Sequence, residues 1–283
     1  MQSGKLKTAI IYDFDGTLAR GNLQERTFIP DLGMSPTEFW QIVMDRAEAE
    51  DADEILTYMH LMLEKSHSKG IPLTKELLHQ HGRAAALFSG LSDRSWFRRL
   101  NEHSSQRGLD LQHFIVSSGN LEMIRGCPIF DAFNQVYASK YLFKDGVAAW
   151  PSVAINYTTK TQYLFRINKG IANNWNHRDL NAFTPDDERP IGFDRMIFIG
   201  DGDTDIPTMK MLKHKGGQSI AVYDPKRETK DLSKIHSLIS DDRVDFVAPA
   251  DYSENTQLDI VVKGILGRIA RRHGYRPPKS HYA

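Results

Sequence analysis

Ile10-Ile11-Tyr12-Asp13-Phe14-Asp15-Gly16-Thr17-Leu18 is the stretch that decides the fold of this 283-residue chain. Its apolar beginning is typical of a buried strand in a parallel sheet. The strand runs directly into Asp13 and Asp15 and then into Gly16. Open α/β sheets bind their ligands at the carboxyl ends of their strands, so two acids at this point indicate a ligand site. The alternative is a strand that ends in a solvated Asp-Gly turn.

The composition is ordinary for a soluble globular protein. Lys plus Arg and Asp plus Glu each number 36, so no overall field favours nucleic acid or an anionic membrane. The single cysteine, Cys127, excludes an intrachain disulfide framework. No apolar run approaches the ~20 residues that span a bilayer, and the first strand follows Met1 too closely for a signal peptide. We therefore predict a cytoplasmic protein with neither a membrane nor a nucleic-acid partner.

Residues 20–88 contain helical patterns and no convincing strand. Ser35-Pro36-Thr37-Glu38 is a helix start signal, with a capping serine, a proline in the first turn and a glutamate three residues after the serine. Two more helices are predicted, one over 52–69 and one that follows Thr74 and reaches Leu87. Because the strand pattern stops at both ends of this segment, we predict a separate helical domain there.

The rest of the chain, residues 1–19 and 89–283, alternates between strands and helices. Such alternation predicts an α/β class, with a Rossmann-like, doubly wound and mostly parallel sheet covered on both faces. A turn at Lys144-Asp145-Gly146 predicts a hairpin, and a helix is predicted to open at Asn168-Lys169-Gly170. The further predicted strands lie at 113–116, 135–139, 195–199, 219–223 and 244–247, with a helical segment between the last two.

Four motifs now stand in order along the chain. They are Asp13 to Leu18, a strand that ends at Ser117-Ser118-Gly119, Lys169-Gly170, and Gly200-Asp201-Gly202-Asp203-Thr204-Asp205. In this order they resemble the motifs of the haloacid dehalogenase (HAD) superfamily, in its phosphoserine phosphatase-like branch. The resemblance covers nearly the whole chain outside 20–88, which lies where this branch inserts a helical C1 cap. It therefore implies a HAD fold with a cap domain.

The acid clusters predict a magnesium cofactor. Several carboxylates at one point repel each other, and a hard divalent cation relieves that repulsion. Ligands that are all oxygens favour Mg²⁺. The resemblance implies that Asp13, Asp201 and the backbone carbonyl of Asp15 bind the ion. It also implies that Thr17 and Asp205 contact these ligands and not the ion itself.

The resemblance also implies the catalytic roles. Asp13 is the expected nucleophile, which forms an aspartyl-phosphate, and Asp15 is the expected general acid and base. Phosphoryl transfer needs fixed donors around the phosphoryl oxygens, and those predicted are Ser117, Ser118 and Lys169. Of the two serines Ser117 is preferred, because it directly follows the apolar run.

The lysine of the third motif has a competitor. Lys160 lies in a polar stretch next to apolar residues. That pattern is typical of a strand edge, where a lysine is normally solvated. Lys169 is preferred because it precedes Gly170 at the predicted start of a helix.

These observations predict a Mg²⁺-dependent phosphatase that acts on a small phosphorylated metabolite, since a cap excludes macromolecules. A phosphomutase uses the same four motifs and is the alternative. A non-catalytic scaffold or sensor ranks last, because such proteins usually lose the nucleophile or a metal-binding acid. The branch binds its substrate through a glutamate soon after the first motif. Glu25 is an unaligned candidate for that role, so phosphoserine as the substrate stays open.

Overall fold

A computed structural model describes residues 4–202, 204–226 and 237–276. Asp203 of the fourth motif and the residues beyond Arg276 lie outside the described residues. So does most of the helical segment predicted between residues 223 and 244.

In the part of the chain that the structure describes, seven strands form one sheet, in the spatial order β4-β3-β2-β1-β5-β6-β7. All neighbouring pairs are parallel except β3 and β4, which pair antiparallel. The predicted doubly wound, mostly parallel sheet is therefore confirmed. The strands are β1 (Leu6–Tyr12), β2 (Leu109–Asn120), β3 (Gln135–Lys144), β4 (Val147–Val153), β5 (Met196–Gly200), β6 (Gln218–Tyr223) and β7 (Phe246–Pro249).

The order of the strands determines where a ligand fits. From β1 the chain builds the sheet outwards through β2, β3 and β4, and then returns to the other side of β1 to form β5. The order thus reverses between β1 and β5. In open α/β sheets the binding crevice lies outside the carboxyl ends of the strands at such a reversal.

Residues 20–88 carry five helices and no strand, as the helical pattern predicted. Ser35, Asp53 and Thr74 cap the three longer ones, because the side chain of each accepts the backbone N–H three residues on, at 3.1, 3.0 and 3.2 Å. The helices are α1 (Leu23–Arg26), α2 (Phe28–Asp31), α3 (Pro36–Ala49), α4 (Glu54–Ser68) and α5 (Lys75–Arg83).

The helical insert packs against the hairpin of β3 and β4. Asp145 and Gly146 form the turn of this hairpin, with positive φ angles of 50° and 82°, as the sequence predicted. The Tyr141 hydroxyl of β3 donates to the carbonyl of Met59 in α4 at 2.7 Å. Apolar side chains of the insert and of one face of the sheet then share a single core.

The prediction that a helix begins at Lys169 is wrong, because a helix ends at this residue. Gly170 has φ 70° and its N–H binds the carbonyls of Arg166 and Ile167, which is the usual left-handed glycine at a helix C-terminus. The remaining helices are α6 (Ser95–Ser105), α7 (Leu121–Gly126), α8 (Lys160–Lys169), α9 (His177–Asn181), α10 (Ile206–His214) and α11 (Gln257–Arg272). Within the described ranges, no helix has the length and apolarity needed to cross a bilayer.

Candidate active site

Asp13 and Asp201 meet at the reversal of the strand order. β1 pairs with β5 in parallel register, and the N–H of Asp13 donates to the carbonyl of Ile199 at 2.9 Å. Asp201 directly follows Gly200, the last residue of β5. Carboxylate oxygens of Asp13, Asp201 and Asp205 all lie within 4.8 Å of one another. The structure thus brings together acids from the two clusters that the sequence analysis singled out.

Gly16 allows this close approach. Its φ is 74°, and a Cβ at this position would lie 2.6 Å from Oδ2 of Asp201. Only glycine fits a turn with this φ and this contact. The resulting cluster offers oxygen donors of the hard type that Mg²⁺ prefers, so the residues present fit the predicted ion.

Lys160, the first residue of α8, is the lysine that reaches the acid cluster. It is completely buried, and its Nζ lies 3.1 Å from Oδ1 of Asp13 and 2.7 Å from Oδ1 of Asp205. Burial is the largest influence on the pKa of Lys160 and lowers it, but the attraction of Asp13 and Asp205 outweighs burial and raises the pKa. Lys160 is therefore a fixed cation beside the first motif.

The structure places Lys169 elsewhere, so the choice of Lys169 over Lys160 is wrong. Nζ of Lys169 donates to the carbonyls of Leu180 and Ala182, at 2.6 and 2.5 Å, and thus holds the end of α9. Because Lys169 is the last residue of α8, it lies nine positions beyond the residue that faces the acids.

One signal in the sequence does point to Lys160. The side chain of Asn156 accepts the N–H of Thr159 at 3.0 Å, a local turn of the kind that precedes many helices. After Lys160, the buried residues Tyr163, Leu164 and Ile167 follow a helical spacing. The stretch is a helix start and not a strand edge.

Asp15 occupies a half-buried position between the first motif and the end of β2. Its Oδ1 accepts the N–H of Leu23 at 3.1 Å, and its Oδ2 would lie 2.7 Å from a Cβ on Gly119. Burial, with the nearby charge of Asp13 as the second cause, raises the pKa of Asp15 to about 8. A carboxyl group with this pKa is protonated at neutral pH and can donate a proton.

Ser117 and Ser118 lie at the end of β2 and line the same cavity as Asp13 and Asp15. Oγ of Ser117 is buried and accepts the N–H of Gly119 at 3.0 Å, which leaves its own proton free to be donated. The carbonyl of Ser118 accepts the Tyr58 hydroxyl at 2.9 Å. The structure thus brings both predicted serines to the cavity.

Asp205 and Thr17 are both fully buried. Burial raises the pKa of Asp205 to about 7, while Lys160 opposes the rise. Asp205 and Asp13 both form ion pairs with the Lys160 ammonium group. Thr17 contributes its carbonyl, which accepts the Tyr252 hydroxyl at 2.8 Å. Among the described residues its Oγ1 has no hydrogen-bond partner.

A cavity of about 320 Å³ lies over the acids, and the insert supplies much of its wall. Glu25 is not one of the described residues that line it. Oε1 of Glu25 accepts hydrogen bonds from Nε1 of Trp40 and from Nδ2 of Asn22, both at 2.7 Å. The lining residues from the insert and from the loop before α8 are Asn22, Gln24, Trp40, Met44, Glu54, Ile55, Tyr58 and Tyr157.

Several solved structures share this architecture. A HAD family hydrolase from Salmonella enterica serovar Typhi superposes with a TM-score of 0.57 at 14% identity, over 94% of this chain and 73% of its own. A phosphoserine phosphatase, captured as a phospho-aspartyl intermediate analogue, has a TM-score of 0.54 at 16% identity, over 92% and 99%. A probable phosphoserine phosphatase from Vibrio cholerae gives 0.56 at 13% identity, over 94% and 67%.

The chain has the HAD fold. The predicted fold and its phosphoserine phosphatase-like architecture are thereby confirmed. No family model matches the sequence. An uncharacterized protein of Borreliella burgdorferi is 24% identical over 279 residues, which cover 88% of this chain and 93% of that protein. At these identities the likeness to solved structures establishes the fold.

Proposed function

We propose that this chain is a Mg²⁺-dependent phosphatase that hydrolyses a small phosphorylated metabolite through an aspartyl-phosphate. The observation that carries the proposal is the meeting of Asp13, Asp201 and Asp205 with the buried ammonium of Lys160. Beside them lies Asp15, whose pKa is raised to about 8. One crevice thus holds a nucleophile, a fixed cation, a metal-binding oxygen set and a proton donor.

Asp13, Asp201 and the backbone carbonyl of Asp15 would hold the Mg²⁺ ion. When bound, the ion supplies charge screening, so that a carboxylate can approach a phosphate dianion. Lys160 provides a second positive charge that is fixed before the substrate arrives, since its ion pairs already hold it in place. Charge that is fixed in advance stabilises a transition state without reorganisation.

The reaction has two displacements in this proposal. A carboxylate oxygen of Asp13 forms a bond to phosphorus while the ester bond breaks, and the Asp15 carboxyl gives its proton to the leaving oxygen. The ionised Asp15 then takes a proton from a water molecule that attacks the same phosphorus. The bond between Asp13 and phosphorus breaks, and inorganic phosphate leaves. Oγ of Ser117 and Oγ of Ser118 bind phosphoryl oxygens.

Residues 20–88 act as a cap domain in this proposal. Their side chains form the wall opposite the acids, and about 320 Å³ remains between them. A volume of this size lies at the low end of ligand cavities, and it suits a small metabolite better than a macromolecule.

Phosphate release from a panel of phosphorylated metabolites tests the proposal. We expect release that requires Mg²⁺ and stops on chelation, and an acid-quenched peptide containing Asp13 that carries one extra phosphoryl group. Asp13→Asn is the control, and it should show neither. A peptide without the extra mass during rapid turnover would contradict the covalent step. Transfer of the phosphoryl group within the substrate, without release, would identify a mutase.

A further inference from the structure

We propose that the leaving group of the substrate carries an ammonium group, so that the substrates are phosphate monoesters of small amino alcohols. This inference rests on the proposed phosphatase function. It concerns the part of the cavity wall that the insert and the loop before α8 supply.

Glu54 is the first residue on which the inference depends. It begins α4, and its carboxylate lines the cavity that also contains Asp13 and Asp15. The Tyr157 hydroxyl donates to Oε2 of Glu54 at 2.6 Å and holds it in place. A fixed carboxylate in a half-enclosed cavity attracts a cationic group and repels an anionic one.

Gln24 independently indicates a ligand with hydrogen-bond donors. Its side chain lines the cavity and is only 1% exposed. In the described part of the chain neither amide atom forms a hydrogen bond of normal geometry, although the side chain lies beside the Tyr58 hydroxyl. A buried amide without hydrogen bonds is costly, so a ligand that donates to Oε1 gains affinity. An ammonium group brings up to three such donors.

Aromatic side chains also belong to this part of the cavity wall. Trp40, Tyr58 and Tyr157 all line the cavity, and the rings of Trp40 and Tyr58 meet edge to face with centroids 5.7 Å apart. Aromatic rings attract cations, and clusters of them with an acid are typical of sites that bind alkylammonium groups.

A matched pair of substrates follows from this chemistry. Phosphoethanolamine and O-phosphoserine differ only in the carboxylate that serine adds beside its ammonium group. The Glu54 carboxylate opposes that addition, so we expect kcat/KM for phosphoethanolamine to exceed that for phosphoserine by at least about tenfold. Glycerol phosphate, which is neutral beyond its phosphate, should fall below phosphoethanolamine. Phosphocholine distinguishes attraction by the rings from hydrogen bonding, because it has no N–H donors.

Variants of the cavity wall test which residues cause the preference for phosphoethanolamine. Glu54→Gln should lower kcat/KM for phosphoethanolamine by about 10- to 100-fold, as expected for one charge-assisted hydrogen bond. Its effect on p-nitrophenyl phosphate should be clearly smaller, because nitrophenolate offers no cation to Glu54. Gln24→Met should also lower kcat/KM for phosphoethanolamine, but by a smaller factor. Glu48→Gln, an exposed acid of the same insert that does not line the cavity, is the matched control.

The outcomes separate this inference from the proposed function. A wild-type preference for phosphoserine or glycerol phosphate, or an equal loss on every substrate in Glu54→Gln, would overturn the inference and leave a phosphatase. If no ester at all is hydrolysed, the proposed function fails. Calorimetry of the Mg²⁺-loaded protein with phosphoethanolamine and phosphoserine then still decides the preference, and tighter binding of phosphoserine would refute it.

Discussion

Replacing Lys160 by methionine should damage both turnover and stability, whereas the same change at Lys169 should lower stability less and leave turnover nearly normal. Methionine keeps the length of the stem and removes the ammonium group, with its charge and its hydrogen-bond donors. Because Lys160 is completely buried between Asp13 and Asp205, its removal leaves two buried carboxylates without their cation. Breaking a buried ion pair from one side costs about 3–5 kcal/mol.

The loss of stability should lie near the lower end of that range. The pKa of Asp205 is already about 7 with Lys160 in place. Without the lysine it rises further, so Asp205 takes up a proton at neutral pH and relieves part of the repulsion. The loss in kcat is separate. Removing one fixed donor from a developing charge costs about 10²–10³-fold.

Urea unfolding and p-nitrophenyl phosphate turnover at saturating Mg²⁺ measure the two effects. Lys169→Met removes two hydrogen bonds to backbone carbonyls at the end of α9, so its stability should fall by about 1–2 kcal/mol with nearly normal turnover. In the double variant Lys160→Met with Asp205→Asn, stability should partly return while turnover does not. A Lys160→Met variant as stable and active as the wild type, or a larger loss of activity in Lys169→Met, would refute this role of Lys160.

Three further changes test other parts of the site. Asp15→Asn should slow hydrolysis of alkyl phosphates by about 10²–10⁴-fold and that of p-nitrophenyl phosphate less, and equal losses in steady-state assays would exclude its acid role. Asp201→Asn should weaken Mg²⁺ binding in calorimetry together with turnover; unchanged Mg²⁺ affinity would remove Asp201 from the metal site. His113 is buried with its pKa lowered to about 3, against about 6.5 when unfolded. Its neutral form therefore stabilises the fold above pH 6.5, and that stability falls by about 1.4 kcal/mol per pH unit towards pH 3. The free energy of unfolding of His113→Gln, measured in urea, should change less with pH than that of the wild type. An equal pH dependence would contradict this.

Local patterns were sufficient to predict much of this fold. The apolar runs that precede Asp13 and Asp201 form neighbouring strands, and their acids meet because parallel strands present their carboxyl ends at the same edge. The capping signal at Ser35 also predicts α3 correctly. In each case the deciding interactions are short in sequence or follow directly from the parallel order.

Local patterns mark a helix start at Lys160 but do not by themselves decide which lysine reaches the acids. A lysine followed by glycine is at least as typical of a helix end as of a helix start, and the pair Lys169-Gly170 is an end. Which lysine reaches Asp13 depends on how the loop before α8 lies across the sheet. That path is set by contacts with the insert more than 100 positions away, such as the one from Nδ2 of Asn156 to Oδ2 of Asp53 at 2.7 Å.

The attachments of α4 have a kinetic consequence. Besides the Asn156 contact, its Tyr58 hydroxyl holds the end of β2, and its Met59 carbonyl is held by Tyr141. Tilting the whole insert away would break these bonds together. The polar side-chain contacts of α3 described by the structure are fewer, chiefly those of Trp40 and Arg46, and both stay within the insert. Since α3 carries Trp40 and Met44 to the cavity, we expect substrate entry and phosphate exit to require a local displacement of this helix rather than of the whole insert.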